Sequence, residues 1–280
     1  MRIALGLEYD GTEFCGWQTQ HEVSTVQQHV EAALTQIAAH PIQVSCAGRT
    51  DAGVHACAQV IHFDTTALRS LRSWVLGSNA NLPRAISTLW ALEVGPDFHA
   101  RFSATARIYR YVILNRPTRA GLWASKVSWD CESLNTDAMR IAAQTLLGEH
   151  DFSSFRAAGC QAKSPVRHLS HLSITRHHDF LFVDVEANAF LQHMVRNIVG
   201  VLLEIGHGER PIEWAQEVLL MRDRTKAGVT APPTGLYLVG VRYPDRFFLP
   251  NPLQHLPFAA TTEAWPSTSV HSNRGMSLKG

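Results

Sequence analysis

The chain has 280 residues, of which 45% are hydrophobic and 18% charged, enough for a sizeable core in one large domain or two ordinary ones. Its formal net charge of +1 excludes no class of partner, so charged clusters have to be counted locally. Five scattered cysteines (Cys15, Cys46, Cys57, Cys131 and Cys160), none in a C-x-x-C pair, argue against a disulfide framework and fit a reducing cytoplasm.

The apolar run at the N-terminus is too short for a signal peptide and soon meets Glu8 and Asp10. Ile3, Leu5, Leu7 and Tyr9 alternate as a strand ending at the turn pair Asp10-Gly11. Ser24 to Gln27 has the spacing of a capping box, and Val26, Val30, Leu34 and Ile37 share one face of the helix behind it. A short strand near Ile42–Cys46 follows, then a glycine-bracketed loop and a strand over Cys57–Phe63. Leu68, Leu71 and Val75 suggest a second helix, and Ile86 to Val94 alternate as a strand. The order is β-α-β-β-α-β.

It then repeats. Residues 107–114 alternate as a strand, and Met139, Ala142, Ala143 and Leu146 mark a helix. Strands near Leu169–Thr175 and Phe180–Ala187 flank a turn at His178-Asp179. A long apolar helix runs from Phe190 to Ile205, another starts at Pro211, and Leu236–Val241 closes the half. Polar breaks at His193, Arg196 and Glu204 argue against a membrane span. Such an α+β pattern predicts two tandem ferredoxin-like halves, residues 1–104 and 105–245, with antiparallel sheets and a cleft between them. A Pro/Ser/Thr-rich tail over 246–280 is expected to be loosely held.

Three features carry chemistry. Between Arg101 and Lys126 lie six basic residues (Arg101, Arg107, Arg110, Arg116, Arg119, Lys126) and no acidic one, with Phe102, Tyr109, Tyr111 and Trp123 among them. Phe152–His178 adds Arg156, Lys163, Arg167 and Arg176, again without a carboxylate. Such stretches suit a nucleic-acid backbone and unstacked bases, or are solvated strand faces with acidic partners elsewhere. In the loop AGRTDAG, Gly48 and Gly53 bracket Arg49 and Asp51; the pair reads as a reactive carboxylate beside a cation, or as a salt bridge closing a turn. In the last long helix, His193, Arg196, Asn197 and Gly200 form a polar stripe. Arg196 there faces a carboxylate or a cleft, or snorkels to the surface. His55, Cys57 and His62 match no established zinc spacing, and a metal reading is rejected.

The run AGRTDAGVHA resembles the catalytic motif of the tRNA pseudouridine synthase A family. So do EYDGTEFCGWQ, FHARFSATARIYRY, LLGEHDFSSFRA and NAFLQHMVRNIVG, in order from about residue 3 to 246. The resemblance implies two ferredoxin-like halves in a homodimer that isomerises uridine to pseudouridine at tRNA positions 38, 39 and 40, in the anticodon stem and loop. It implies no metal or organic cofactor. By the same resemblance Asp51 is the catalytic aspartate, as nucleophile or acid/base, and Tyr109 stacks on the flipped base and helps remove the C5 proton. Arg196 takes over from Arg49 as the partner of Asp51, and Arg49 fills the space the base leaves. The expected tRNA contacts are Arg49, Arg69, Phe98, His99, Ala100, Arg101, Phe102, Tyr109, Gly159, Cys160, Gln161, Ala162 and Lys163.

Rival readings are a non-catalytic RNA-binding module, which explains the basic stretches but gives Asp51 no work, and an RNA chaperone using the same surface, which is compatible with the enzyme as a second activity. The enzyme reading alone requires Asp51 and Arg196 within salt-bridge reach in an inter-domain cleft.

Overall fold

In a computed structural model of the chain, residues 1–250 are described. The first strand, β1 (Arg2–Tyr9), runs antiparallel to both β3 (His55–Asp64) and β4 (Ile86–Val94). Helix α1 (Val26–Ala38) and helix α2 (Leu71–Asn81) pack against each other, and α2 against β4. The cap of α1 sits one residue later than the sequence spacing indicates: Gln28 Oε1 accepts from the Thr25 amide at 3.2 Å and from the Thr25 hydroxyl at 2.8 Å. Ser70 caps α2 by accepting the Ser73 amide at 3.1 Å. The strand expected at Ile42–Cys46 shrinks to β2 (Ser45–Cys46), which pairs with Ile61 and His62 of β3.

The amides of Ile42 and Val44 go instead to side chains of α1, Thr35 Oγ1 and Glu31 Oε1, each at 3.0 Å. In the second half, β5 (Ala106–Asn115) lies between β9 (Phe180–Ala187) and β10 (Leu236–Arg242). Strand β10 then reaches across to β3, in parallel, through Tyr237↔His55 and Leu238↔Ala56. One edge of β3 is therefore shared, β10 taking its start and β2 its end. The loop over residues 47–54 leaves from this divided edge. Short β6 (Ser128–Asp130) pairs in parallel with β5, while β7 (Gly148–Asp151) and β8 (Val166–His177) finish the sheet beyond β9. Instead of separate sheets in the two halves, ten strands form one, mostly antiparallel, with the path β4-β1-β3-β10-β5-β9-β8-β7.

Helix α3 (Thr136–Gln144) is capped by Asn135, whose side chain accepts the amides of Asp137 and Ala138. Helix α4 (Met194–Gly206) begins four residues after the expected Phe190, because His193 adopts a left-handed φ of 61° and sets the helix start. Helix α5 (Trp214–Met221) likewise starts after a turn at Pro211, where the Trp214 amide donates to the Pro211 carbonyl. Strand β5 is buried along nearly its whole length instead of on one face. Tyr109, Tyr111 and Ile113 join the large core under the helices, and Ile108, Val112 and Leu114 a second core with Val127, Phe182 and Val239. Among the described residues, no helix is long and apolar enough to cross a membrane. The tail boundary also moves: Phe247 is buried and meets the Phe98 ring edge-on at 5.1 Å. The rest of the expected tail, residues 251–280, lies outside the described residues.

Candidate active site

The loop between β2 and β3 is held from several sides. The Ala47 amide donates to the Val60 carbonyl, and Gln59 Nε2 donates to the Gly48 carbonyl at 2.6 Å. Thr50 is buried, with its hydroxyl 2.8 Å from that of Tyr9 at the end of β1, and its carbonyl accepts the Trp17 amide at 2.9 Å. The segment EYDGTEFCGWQ thus frames the loop. Gly53 has a φ of +77°, a conformation other residues rarely adopt. Gly48 is under no such constraint, since a Cβ there would meet the Tyr109 hydroxyl only at an ordinary contact distance of 3.7 Å, but the nearness shows the loop passing over that side chain.

On this frame Asp51 keeps 28% of its side chain accessible. Arg196 Nη1 lies 3.7 Å from Asp51 Oδ2, and His193 Nε2 3.5 Å from the same oxygen. Arg196 is itself anchored, its Nε donating to the Ala231 carbonyl at 2.7 Å. The carboxylate comes from the first half of the chain and both partners from the start of α4, so the site exists only where the two halves meet. Arg49, the first candidate for the Asp51 partner, is exposed instead. The remaining stripe residues are structural. Asn197 is buried and donates to the Phe155 carbonyl at 2.7 Å, and a Cβ at Gly200 would collide with the Val229 carbonyl at 1.8 Å.

Tyr109 stands on the same face of β5 as Arg107, with Phe190 edge-on at 5.0 Å. Burial pushes its phenol well above the usual range, the Asp51 charge adds to this, and Arg107 opposes it. The ring is 7% exposed, so it forms a wall of the site beside Asp51.

Most of the basic residues between Arg101 and Lys126 have partners that the sequence hides. Arg110 forms a buried ion pair with Asp184 at 2.7 Å, Arg116 reaches Asp179 at 3.6 Å, and Lys126 contacts Asp10. Arg107 is buried against backbone carbonyls. Arg101 and Arg119 stay exposed and carry no ion pair among the described residues. In the second stretch Arg156 binds the Cys160 and Ala162 carbonyls, so it shapes the loop over 157–163. That loop abuts the site: the Ala157 amide donates to the Gln192 carbonyl, and the Gln192 amide to Cys160 Sγ at 3.5 Å. Gly159, Gln161 and Lys163 are exposed, while Cys160 and Ala162 are half-buried.

Two expected RNA contacts need correction. Phe98 and Ala100 are fully buried. Phe98 packs on Tyr243 and Phe247, and both backbone groups of Ala100 are engaged, its amide by His62 Nδ1 at 3.1 Å and its carbonyl by the Tyr243 hydroxyl at 2.6 Å. They build the turn that leaves Arg101 and Phe102 exposed. His99, half-buried, supports the same turn, its Nδ1 accepting the amides of Arg101 and Phe102 at 3.1 and 3.3 Å. Arg69 stays exposed beyond the far end of β3, roughly 30 Å of strand from Asp51, and donates to the Ile37 carbonyl at 3.2 Å.

Two contributors were not singled out as site residues. His193 was read as one member of a helical stripe, but its left-handed backbone turns it onto Asp51. Arg107 is one of the six basic residues of the first stretch, and only Tyr109, two positions on, hints that it lies on the cleft face.

A family model described as "tRNA pseudouridine synthase" matches residues 7–103 and 142–244. The chain is 59% identical over 251 residues to a tRNA pseudouridine synthase A of Pseudoalteromonas atlantica, covering 90% of this chain and 95% of that one. A Nitrosococcus oceani protein of the same name is 58% identical, with 90% and 97% covered. One from Vibrio cholerae is 56% identical, with 90% and 95% covered.

Proposed function

The chain belongs to the tRNA pseudouridine synthase family, enzymes that isomerise uridine in tRNA, and on that premise we propose that it acts at positions 38, 39 and 40 of the anticodon stem and loop through Asp51. The observation that carries this reading is the Asp51 carboxylate, partly open to solvent and faced by Arg196 at 3.7 Å across the junction of the two halves. An RNA-binding module has no use for such a pair.

The reaction breaks the N1–C1′ bond of uridine, turns the uracil over and forms a C5–C1′ bond. C5 loses a proton and N1 ends protonated, so atoms balance with no change of oxidation state. Asp51 acts as nucleophile or as acid/base while the ring is detached. Arg196, 3.7 Å away and anchored on the Ala231 carbonyl, aims the carboxylate and offsets the cost of its partial burial. Tyr109 presents a ring for the flipped base and a hydroxyl for the C5 proton. Arg49 and Arg101 face the displaced RNA strand, with Phe102 beside Arg101 at 5.6 Å from its guanidinium.

We also read residues 1–104 and 105–245 as two ferredoxin-like copies. Strand orders β4-β1-β3-β2 and β10-β5-β9-β8 support this reading, β6 and β7 being additions. A homodimer working in the cytoplasm completes the proposal.

The test is tritium release from uracil-C5-labelled tRNA transcript by wild type and Asp51→Ala, without added metal or cofactor. Release by the wild type alone supports the reaction and the residue. Equal release by both removes Asp51 from the mechanism, and release by neither, with tRNA still bound, favours the module.

A further inference from the structure

Arg107 is the second residue of β5, two positions before Tyr109 on the cleft face, and only 9% exposed. Among the described residues it has no carboxylate partner, which is unusual for a buried guanidinium. Its five N–H donors all go to backbone carbonyls. Nε and Nη2 donate to Ala47 at 3.2 and 3.0 Å, Nη1 to Ala104 at 3.2 Å and to Asn188 at 3.0 Å, and Nη2 also to Arg101 at 2.5 Å.

Those four carbonyls belong to the three segments that make the site. Ala47 opens the Asp51 loop. Arg101 and Ala104 belong to the turn that exposes Arg101 and Phe102. Asn188 starts the segment that ends at His193 and hands over to Arg196. Burial lowers the Arg107 pKa, the sign of a desolvation cost that an apolar residue at this position would avoid.

We propose that Arg107 is a positioning residue for the reaction: one guanidinium ties the Asp51 loop, the RNA-facing turn and the His193–Arg196 segment into a single register. This rests on Asp51 being the reacting carboxylate. The geometry needs a planar fork with five donors. Lysine brings three donors on one point and cannot span four carbonyls; glutamine brings two and no charge.

The experiment compares Arg107→Lys and Arg107→Gln with Arg110→Lys, a buried arginine on the opposite face of the same strand. Single-turnover pseudouridine formation at saturating tRNA is measured together with tRNA affinity and melting temperature. Misplacing a reacting group by about 1 Å costs on the order of a hundredfold in rate. Both Arg107 variants are therefore expected to lose about that much at saturation while affinity stays within about threefold, and Arg110→Lys to keep its rate at a similar melting temperature. If Arg107→Lys does not fold, Arg107→Gln, which leaves no buried charge, decides.

A wild-type rate in the Arg107 variants overturns the inference. So does a loss matched by Arg110→Lys, which reduces Arg107 to a strand-stabilising residue, and so does a loss of affinity with the saturated rate intact. Asp51→Ala runs alongside: full activity there overturns the catalytic reading itself, whereas an inactive Asp51→Ala with an active Arg107→Lys overturns this inference alone.

Discussion

Strand β5 sends two arginines to opposite faces. On the back face Arg110 is paired with Asp184, both fully buried, and its guanidinium lies 5.0 Å from the centre of the Phe182 ring within the second core. On the cleft face Arg107 has only carbonyls, and beside it stands Tyr109 under the Asp51 loop. A carboxylate cancels the charge of Arg110 and leaves the back face electrically closed. Carbonyl dipoles solvate Arg107 without cancelling it, so the cleft side keeps a positive centre. The same residue type, three positions apart, serves the fold on one side and the site on the other.

That contrast can be broken in several places. The largest effect is expected opposite the cleft face, where Asp51→Asn loses at least about a thousandfold in turnover while tRNA affinity moves only a few-fold, as tritium release and filter binding would measure. On the back face, Asp184→Ala strands the Arg110 charge in the core and should cost about 3–5 kcal/mol of stability, read by denaturant unfolding, with the folded fraction still active. A back-face variant that lost chemistry without stability would erase the distinction. Tyr109→Phe removes one hydroxyl and should slow C5-tritium release by about a hundredfold with melting unchanged. Arg101→Ala is expected to weaken tRNA binding with a salt slope shallower by about one and little change in the saturated rate.

The smallest effect concerns pH. Burial, followed by the nearby His99 and Arg2 charges, lowers the His62 pKa from 6.5 to about 4. Neutral His62 accepts the Ala100 amide, so its contribution is complete above the ordinary histidine pKa and is lost as pH falls through about 4. The melting temperature should drop over that window, and drop less in His62→Gln.

Much of this was legible in the chain. Alternation and helical spacing located the main elements, and an arginine in an apolar helix announced a partner. What was illegible depended on distant pairing. Nothing near Arg110 indicates that Asp184 will neutralise it, and nothing near Phe98 indicates that Tyr243 and Phe247 will cover it. Alternation failed along β5 because a mid-sheet strand is covered on both faces, where period-two patterning loses its meaning. The start of α4 was misplaced by one backbone angle, at His193, in an otherwise helix-compatible run.

The position of β10 has a consequence in time. It is the last strand of the described residues, yet it lies mid-sheet between β3 and β5. While the protein is being synthesised, those two strands carry bare edges until residues 236–242 emerge, which exposes the nascent chain to mispairing and makes it a customer for chaperones. Only then is the sheet continuous across the two halves, so a chain cut short before β10 would lack the strand that joins β3 to β5.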